Sequence, residues 1–120
     1  MNLYVIGTGP GSIDYMAPRA IEIIKDVACV AGYTTYMDLI SDLIVDQEII
    51  STGMMKEVDR VQQAIEQALS GKSCALISGG DAGIYAMAGL VFEICQEREI
   101  ILTREKSDNK DRLYLEVVPG

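Results

Sequence analysis

A chain of 120 residues, 49% hydrophobic and 23% charged, is long enough to bury a core without disulfide or metal staples and too apolar to be a disordered tail. Its 10 basic and 18 acidic residues leave a formal net charge of -8. That balance argues against a general nucleic-acid surface and repels an anionic ligand at long range, so basic contacts to one must be local.

The chain contains no histidine, which excludes histidine-built zinc sites, Ser-His-Asp triads and histidine general bases within it. Cys29, Cys74 and Cys95 are odd in number and scattered through apolar stretches, so they read as buried reduced thiols, and no metal is expected. No apolar run approaches the ~20 residues of a membrane span, and Met1-Asn2-Leu3-Tyr4-Val5-Ile6 lacks the basic start of a signal peptide. The expected location is the cytoplasm, with neither membrane nor nucleic acid as partner.

In chain order, Leu3–Ile6 is a short buried strand that runs into Gly7-Thr8-Gly9-Pro10-Gly11-Ser12. Pro18–Asp26 reads as a helix with Pro18 in its first turn, Val27–Ala31 as a second strand, Tyr36–Leu43 as a helix and Glu48–Ser51 as a third strand. Lys56–Leu69 carries Val58, Val61, Ile65, Ala68 and Leu69 at helical steps, which predicts one apolar face, with Gly71 at the C-cap. Ser73–Ser78 is a fourth strand and Gly83–Gln96 a helix with Ile84, Met87, Ala88, Val91, Phe92 and Cys95 apolar. The charged stretch Arg104–Arg112 reads as a solvated loop before a fifth strand, Leu113–Val118. Alternation of apolar strands with helices predicts one α/β domain over residues 1–120. It would be an open five-stranded, mainly parallel sheet with helices on both faces and ligands at the carboxyl ends of the strands.

Two glycine loops occupy such ends. The first has G-x-G-x-G spacing, its helix opens only near Pro18, and Ala31-Gly32-Tyr33 stands where a dinucleotide site wants an acid, so neither a nicotinamide site nor a P-loop fits. The second, Ser78-Gly79-Gly80-Asp81-Ala82-Gly83-Ile84-Tyr85, clears side chains from the backbone and places Asp81 as an N-cap with Ala82 at the first helical position. Together the loops suggest a nucleotide-like or adenosyl ligand. A tight turn and a cap with no ligand remain the plainer alternative.

These loops resemble, in order and spacing, the tetrapyrrole methylase superfamily. The resemblance is carried by Gly7-Thr8-Gly9-Pro10-Gly11-Ser12, Pro18-Arg19-Ala20, Gly32-Tyr33, Ser78–Tyr85 and Val117-Val118-Pro119-Gly120. Gly32-Tyr33-Thr34-Thr35-Tyr36, Ser51-Thr52-Gly53-Met54-Met55-Lys56-Glu57 and Ala86-Met87-Ala88-Gly89-Leu90 most resemble the precorrin-3B C(17)-methyltransferases of cobalamin biosynthesis. The resemblance implies an S-adenosylmethionine-dependent C-methyltransferase acting on a precorrin, with ring contraction, and a homodimer of two-domain subunits. This chain would be the N-terminal domain, inactive alone, with the second domain absent and beginning near Val117–Gly120. It implies that Pro10, Gly79, Gly80, Asp81, Ala82 and Ile84 contact the cofactor, largely through backbone, and that Gly9, Gly11 and Ser12 form the substrate-side loop.

Two departures stand out. Ala82 replaces the usual proline, which loosens the loop by roughly 0.4–1 kcal/mol, and Ala17 replaces a capping threonine before Pro18. Methyl transfer from a sulfonium is an in-line displacement in which the protein chiefly holds donor and acceptor in place. No catalytic acid or base is identifiable. Ser12 and Asp14 are polar neighbours of the first loop, and Lys56 and Arg60 share a helix face. Those two cations either meet substrate carboxylates or pair in solvent with Glu57 and Asp59. The alternatives are another methylase of the superfamily, acting on uroporphyrinogen III, another precorrin, diphthamide or ribosomal RNA, and a non-catalytic nucleotide-binding module.

Overall fold

The computed structural model describes residues 1–8, 16–53, 56–79, 81–106 and 112–119, the side chains of Asp81 and Ala82 excepted. The apolar run after Met1 forms β1 (Asn2–Gly7), and Pro18 opens α1 (Pro18–Asp26). There follow β2 (Cys29–Tyr33), α2 (Thr34–Leu39) with a 3-10 turn at Ser41–Leu43, and β3 (Glu48–Thr52). The chain continues through α3 (Glu57–Leu69), β4 (Cys74–Ser78), α4 (Asp81–Glu97), β5 (Ile101–Thr103) and β6 (Arg112–Val118).

Among the described residues the sheet has six strands, not five, in the order β3-β2-β4-β1-β6-β5, and every pairing is parallel. The additional strand is β5, three residues at the sheet edge pairing Ile101 with Arg112 and Thr103 with Tyr114. So short a segment, with Ile101 exposed on an edge and charge directly after it, shows no alternation to read. The turn after β2 also differs from expectation. The predicted helix Tyr36–Leu43 begins earlier, at Thr34, and breaks at Ile40 into the 3-10 turn.

Handedness places the helices. The connections through α1 and α2 step one way across the sheet, and those through α3 and α4 step the other way. Right-handed crossovers then put α1 and α2 on one face and α3 and α4 on the opposite face. Alternating strand residues meet them accordingly. Tyr4, Ile6, Val30, Ala75 and Ile77 pack on Ala20, Ile23, Ile24, Met37 and Ile40. Leu3, Val5, Ala31 and Leu76 pack on Val61, Ala64, Ile65, Ala68, Ile84 and Val91. Cys29, Cys74 and Cys95 lie in the second of these cores as buried free thiols. A hydrogen bond with Cys29 and burial push the Cys74 thiol up, and burial pushes Cys95 up.

Helix ends follow local chemistry. After α3, Gly71 adopts φ +96 while its N–H bonds the Ala68 carbonyl and that of Lys72 bonds Gln67, a Schellman closure that favours glycine at this position. At the start of α1, Ala17 has the extended backbone of an N-cap (φ -60, ψ 140) but offers no side-chain bond. Replacing Ala17 with serine is therefore expected to stabilise the fold by about 1 kcal/mol. A urea denaturation midpoint that does not rise would contradict this.

On the same side, Arg19 grips Glu116 through two bonds, Nε to Oε2 at 3.1 Å and Nη2 to Oε1 at 2.9 Å, while the Tyr114 hydroxyl donates to Oε1 at 2.9 Å. These bonds tie α1 to β6 and hold the Glu116 carboxyl below its ordinary range, the Arg19 hydrogen bond first. A lowered folded-state value means that the stabilisation is present above the unfolded pKa of about 4.3 and is lost as pH falls through the folded value. The pair is partly exposed, so the effect is small. Glu116→Gln is expected to flatten the melting temperature's dependence on pH below about 4.3. An identical acid limb in the variant would refute the assignment.

Candidate functional site

Parallel strands point their carboxyl ends one way, and at that end the exits of β1, β2 and β4 converge. The Thr8 N–H donates to the Ser78 carbonyl at 2.9 Å, which joins the start of the first glycine loop to the end of β4. Between the exits of β2 and β4, and between α3 and α4, lies an open cleft of about 1010 Å³. Its walls include Tyr33, Tyr36, Glu57, Arg60, Gly79 and Met87.

Gly79 is needed where it stands. The Tyr36 ring lies so close to its backbone that a Cβ there would overlap the ring. Tyr36 in turn packs edge-on against Tyr33, with ring centroids 5.6 Å apart and planes at 75°. A second close approach occurs at the next turn, where a Cβ on Gly83 would come within 2.9 Å of the buried Ser78 hydroxyl. The end of β4 is therefore bare backbone faced by an aromatic ring.

A polar seam closes the side of the cleft near β3. Thr34 Oγ1 donates to the Thr52 carbonyl at 3.2 Å and lies 3.1 Å from Ser51 Oγ, and Arg60 Nε donates to Thr52 Oγ1 at 2.8 Å. Arg60 stands on the face of α3 that buries Val61, Ala64, Ile65 and Ala68. It is itself 3% exposed, whereas Val58, expected on that face, is 50% exposed. The two residues lie at opposite margins of the stripe, and only the margin facing the cleft is covered. Burial lowers the Arg60 pKa, opposed by Glu57 and Tyr36.

Of the residues expected from sequence, Gly79 lines the cleft. Ile84 is fully buried in the core, so its side chain does not face a ligand there. The helix expected over Gly83–Gln96 with Asp81 as its N-cap starts earlier: Asp81 is itself the first residue of α4 and Ala82 the second, and their side chains lie outside the described residues. Gly9, Pro10, Gly11, Ser12, Asp14 and Gly80 also lie outside them. Lys56 is exposed at the N-cap of α3, apart from the buried Arg60. In the sequence Tyr33 and Tyr36 contribute only to the resemblance and have no assigned place in the site; their spacing of three at a strand exit is the signal that could have marked them. Among the described residues, no three His, Cys, Asp or Glu side chains converge as a metal site requires, and no helix is long and apolar enough to cross a membrane.

Residues 2–120 match the family model for Tetrapyrrole (Corrin/Porphyrin) Methylases. The chain is 47% identical over 118 residues to the cobalt-factor III methyltransferase of Priestia megaterium, a match covering 98% of this chain and 21% of that protein. It is 48% identical over 98 residues to a probable cobalt-factor III C(17)-methyltransferase of Salmonella typhimurium, covering 82% of this chain and 41% of that one. Its fold superposes with a TM-score of 0.68 on the uroporphyrin-III C-methyl transferase of Thermus thermophilus solved with S-adenyl homocysteine. At 19% identity, over 100% of this chain and 45% of that chain, that is a likeness of fold alone. The chain spans less than half the length of each of these proteins. Matched from Asn2 to its last residue, the chain belongs to the tetrapyrrole (corrin/porphyrin) methylase family.

Proposed function

We propose that the protein is an S-adenosylmethionine-dependent methyltransferase of cobalamin biosynthesis that methylates C(17) of a precorrin or cobalt-containing counterpart, with contraction of the ring. The observation that carries this reading is the cleft at the strand ends, walled by the bare backbone of Gly79, by Tyr33 and Tyr36, and by carboxylates at Glu57 and Glu93. These residues fit an adenosyl sulfonium. Exposed backbone and aromatic rings suit a flat heterocycle, and carboxylates suit positive charge on sulfur and amine. When bound, the donor supplies a methyl group already activated by its sulfonium charge.

The part of this chain is positional. Gly79, Gly80, Asp81, Ala82 and Ile84 hold the donor through backbone, joined by Pro10, while Gly9, Gly11 and Ser12 face the macrocycle. The subunits pair as homodimers in the cytoplasm. The exposed rings of Tyr85 (66%) and Phe92 (54%) on α4 support a covered surface in the assembled protein. Titration calorimetry of S-adenosylhomocysteine onto the protein as its gene encodes it tests the reading. Saturable binding is expected. Binding of a nicotinamide dinucleotide in its place would overturn it.

A further inference from the structure

Arg60 occupies a position that an apolar residue would ordinarily fill. It is 3% exposed, yet of its five N–H donors the Nε–H alone has a partner among the described residues, Thr52 Oγ1. No carboxylate of the described residues forms an ion pair with it, although Glu57 stands one turn earlier on the same helix. The buried polar side-chain atom without a partner among the described residues is Gln67 Oε1, so the terminal nitrogens of Arg60 are not sealed away without acceptors but open to the cleft, which the residue lines beside Tyr36. With Nε pinned by Thr52, the two terminal nitrogens are left as a planar fork, the geometry that matches a carboxylate in two parallel bonds.

We propose that Arg60 is a binding residue for a carboxylate of the ligand in this cleft, gripping it with both terminal nitrogens while Thr52 fixes the orientation of the guanidinium. The proposal rests on the cleft being the ligand site argued above. Two ligands of the reaction carry that group. One is the macrocycle, with carboxylates on its rim, and the other is the methyl donor, with a single carboxylate on its methionine part. The local cation also meets the need set by the net charge, since a carboxylate approaching an acidic protein must find its partner at short range.

The test uses the protein as its gene encodes it and measures dissociation constants for S-adenosylhomocysteine and for cobalt-factor III separately. Arg60→Met is expected to weaken one of the two by about 10- to 100-fold. Arg60→Lys should restore part of the loss, and the other ligand should change by less than about twofold. Which ligand weakens identifies the source of the carboxylate. Because Arg60→Met could also unfold the chain, unmodified protein is titrated in parallel with the methyl ester of each ligand. The variant is titrated with the same esters: esterification is expected to weaken the recognised ligand on unmodified protein and to cost the variant less, a difference that a structural role would not produce. Thr52→Val, which frees Nε, should weaken the same ligand to a lesser degree. Unchanged binding of both acids by the variants, or equal binding of acid and ester by the unmodified protein, overturns the Arg60 assignment alone. Failure of the unmodified protein to bind either acid overturns the reading of the cleft and this assignment with it.

Discussion

Replacing Gly79 with valine is expected to weaken binding of S-adenosylhomocysteine while leaving the sheet intact. The added Cβ overlaps the Tyr36 ring, so either the ring or the β4 exit must move. The ring has little room to yield, because it packs edge-on against Tyr33 and stands on the first turns of α2, whose Thr34 is bonded to the end of β3. Overpacking of this kind costs about 1–3 kcal/mol. Borne wholly by the arrangement that binds the ligand, that is roughly five- to 150-fold in affinity. Alanine at Gly79 should already show the effect, since the clash begins at Cβ. Gly89→Ala provides the contrast in stability and not in binding, since Gly89 also lines the cleft. A Cβ there meets nothing within 4 Å, and the position is interior to α4, so the same exchange should stabilise by up to ~1 kcal/mol. Calorimetry with thermal melts separates the two effects. Normal binding by Gly79→Val would remove the second loop from the site.

Truncating Leu76 to alanine is expected to cost about 2–5 kcal/mol, a large share of the roughly 5–15 kcal/mol that holds a domain together. Leu76 is fully buried in β4, pairs with Val5 on one side and Ala31 on the other, and belongs to the core beneath α3 and α4. Strands on both sides hold the site open, so the surroundings cannot collapse into the cavity. Val45→Ala, which also shortens an apolar side chain, should change stability by no more than about 0.5 kcal/mol, because Val45 is 81% exposed. Urea midpoints for the two variants give the comparison. A Leu76 variant as stable as the Val45 variant would mean that the two-layer core is wrongly drawn.

Much of this architecture is legible in the residues. Alternating apolar runs and helical stripes give the order of elements, and Val61, Ile65 and Ala68 mark the face of α3 that packs on the sheet. The glycines after β1 and β4 mark the carboxyl end of the sheet, the end at which open α/β sheets in general take their ligands. Other features depend on tertiary placement. An arginine at the margin of an amphipathic stripe is equally at home in water, and Arg60 is buried only because β2, α2 and β3 bring Tyr36 and Thr52 against it. The contact between Tyr36 and Gly79 joins segments far apart in the chain, so neither residue announces it. The three residues of β5 become a strand only because β6 offers an open edge.

The most direct measurement is transfer itself. The protein as its gene encodes it is incubated with methyl-labelled S-adenosylmethionine and, in separate reactions, with cobalt-factor III, precorrin-3B and uroporphyrinogen III, and each macrocycle is weighed by mass spectrometry. The account predicts one labelled methyl group on cobalt-factor III or precorrin-3B and none on uroporphyrinogen III. Label on uroporphyrinogen III alone, or on none of the three, would contradict it.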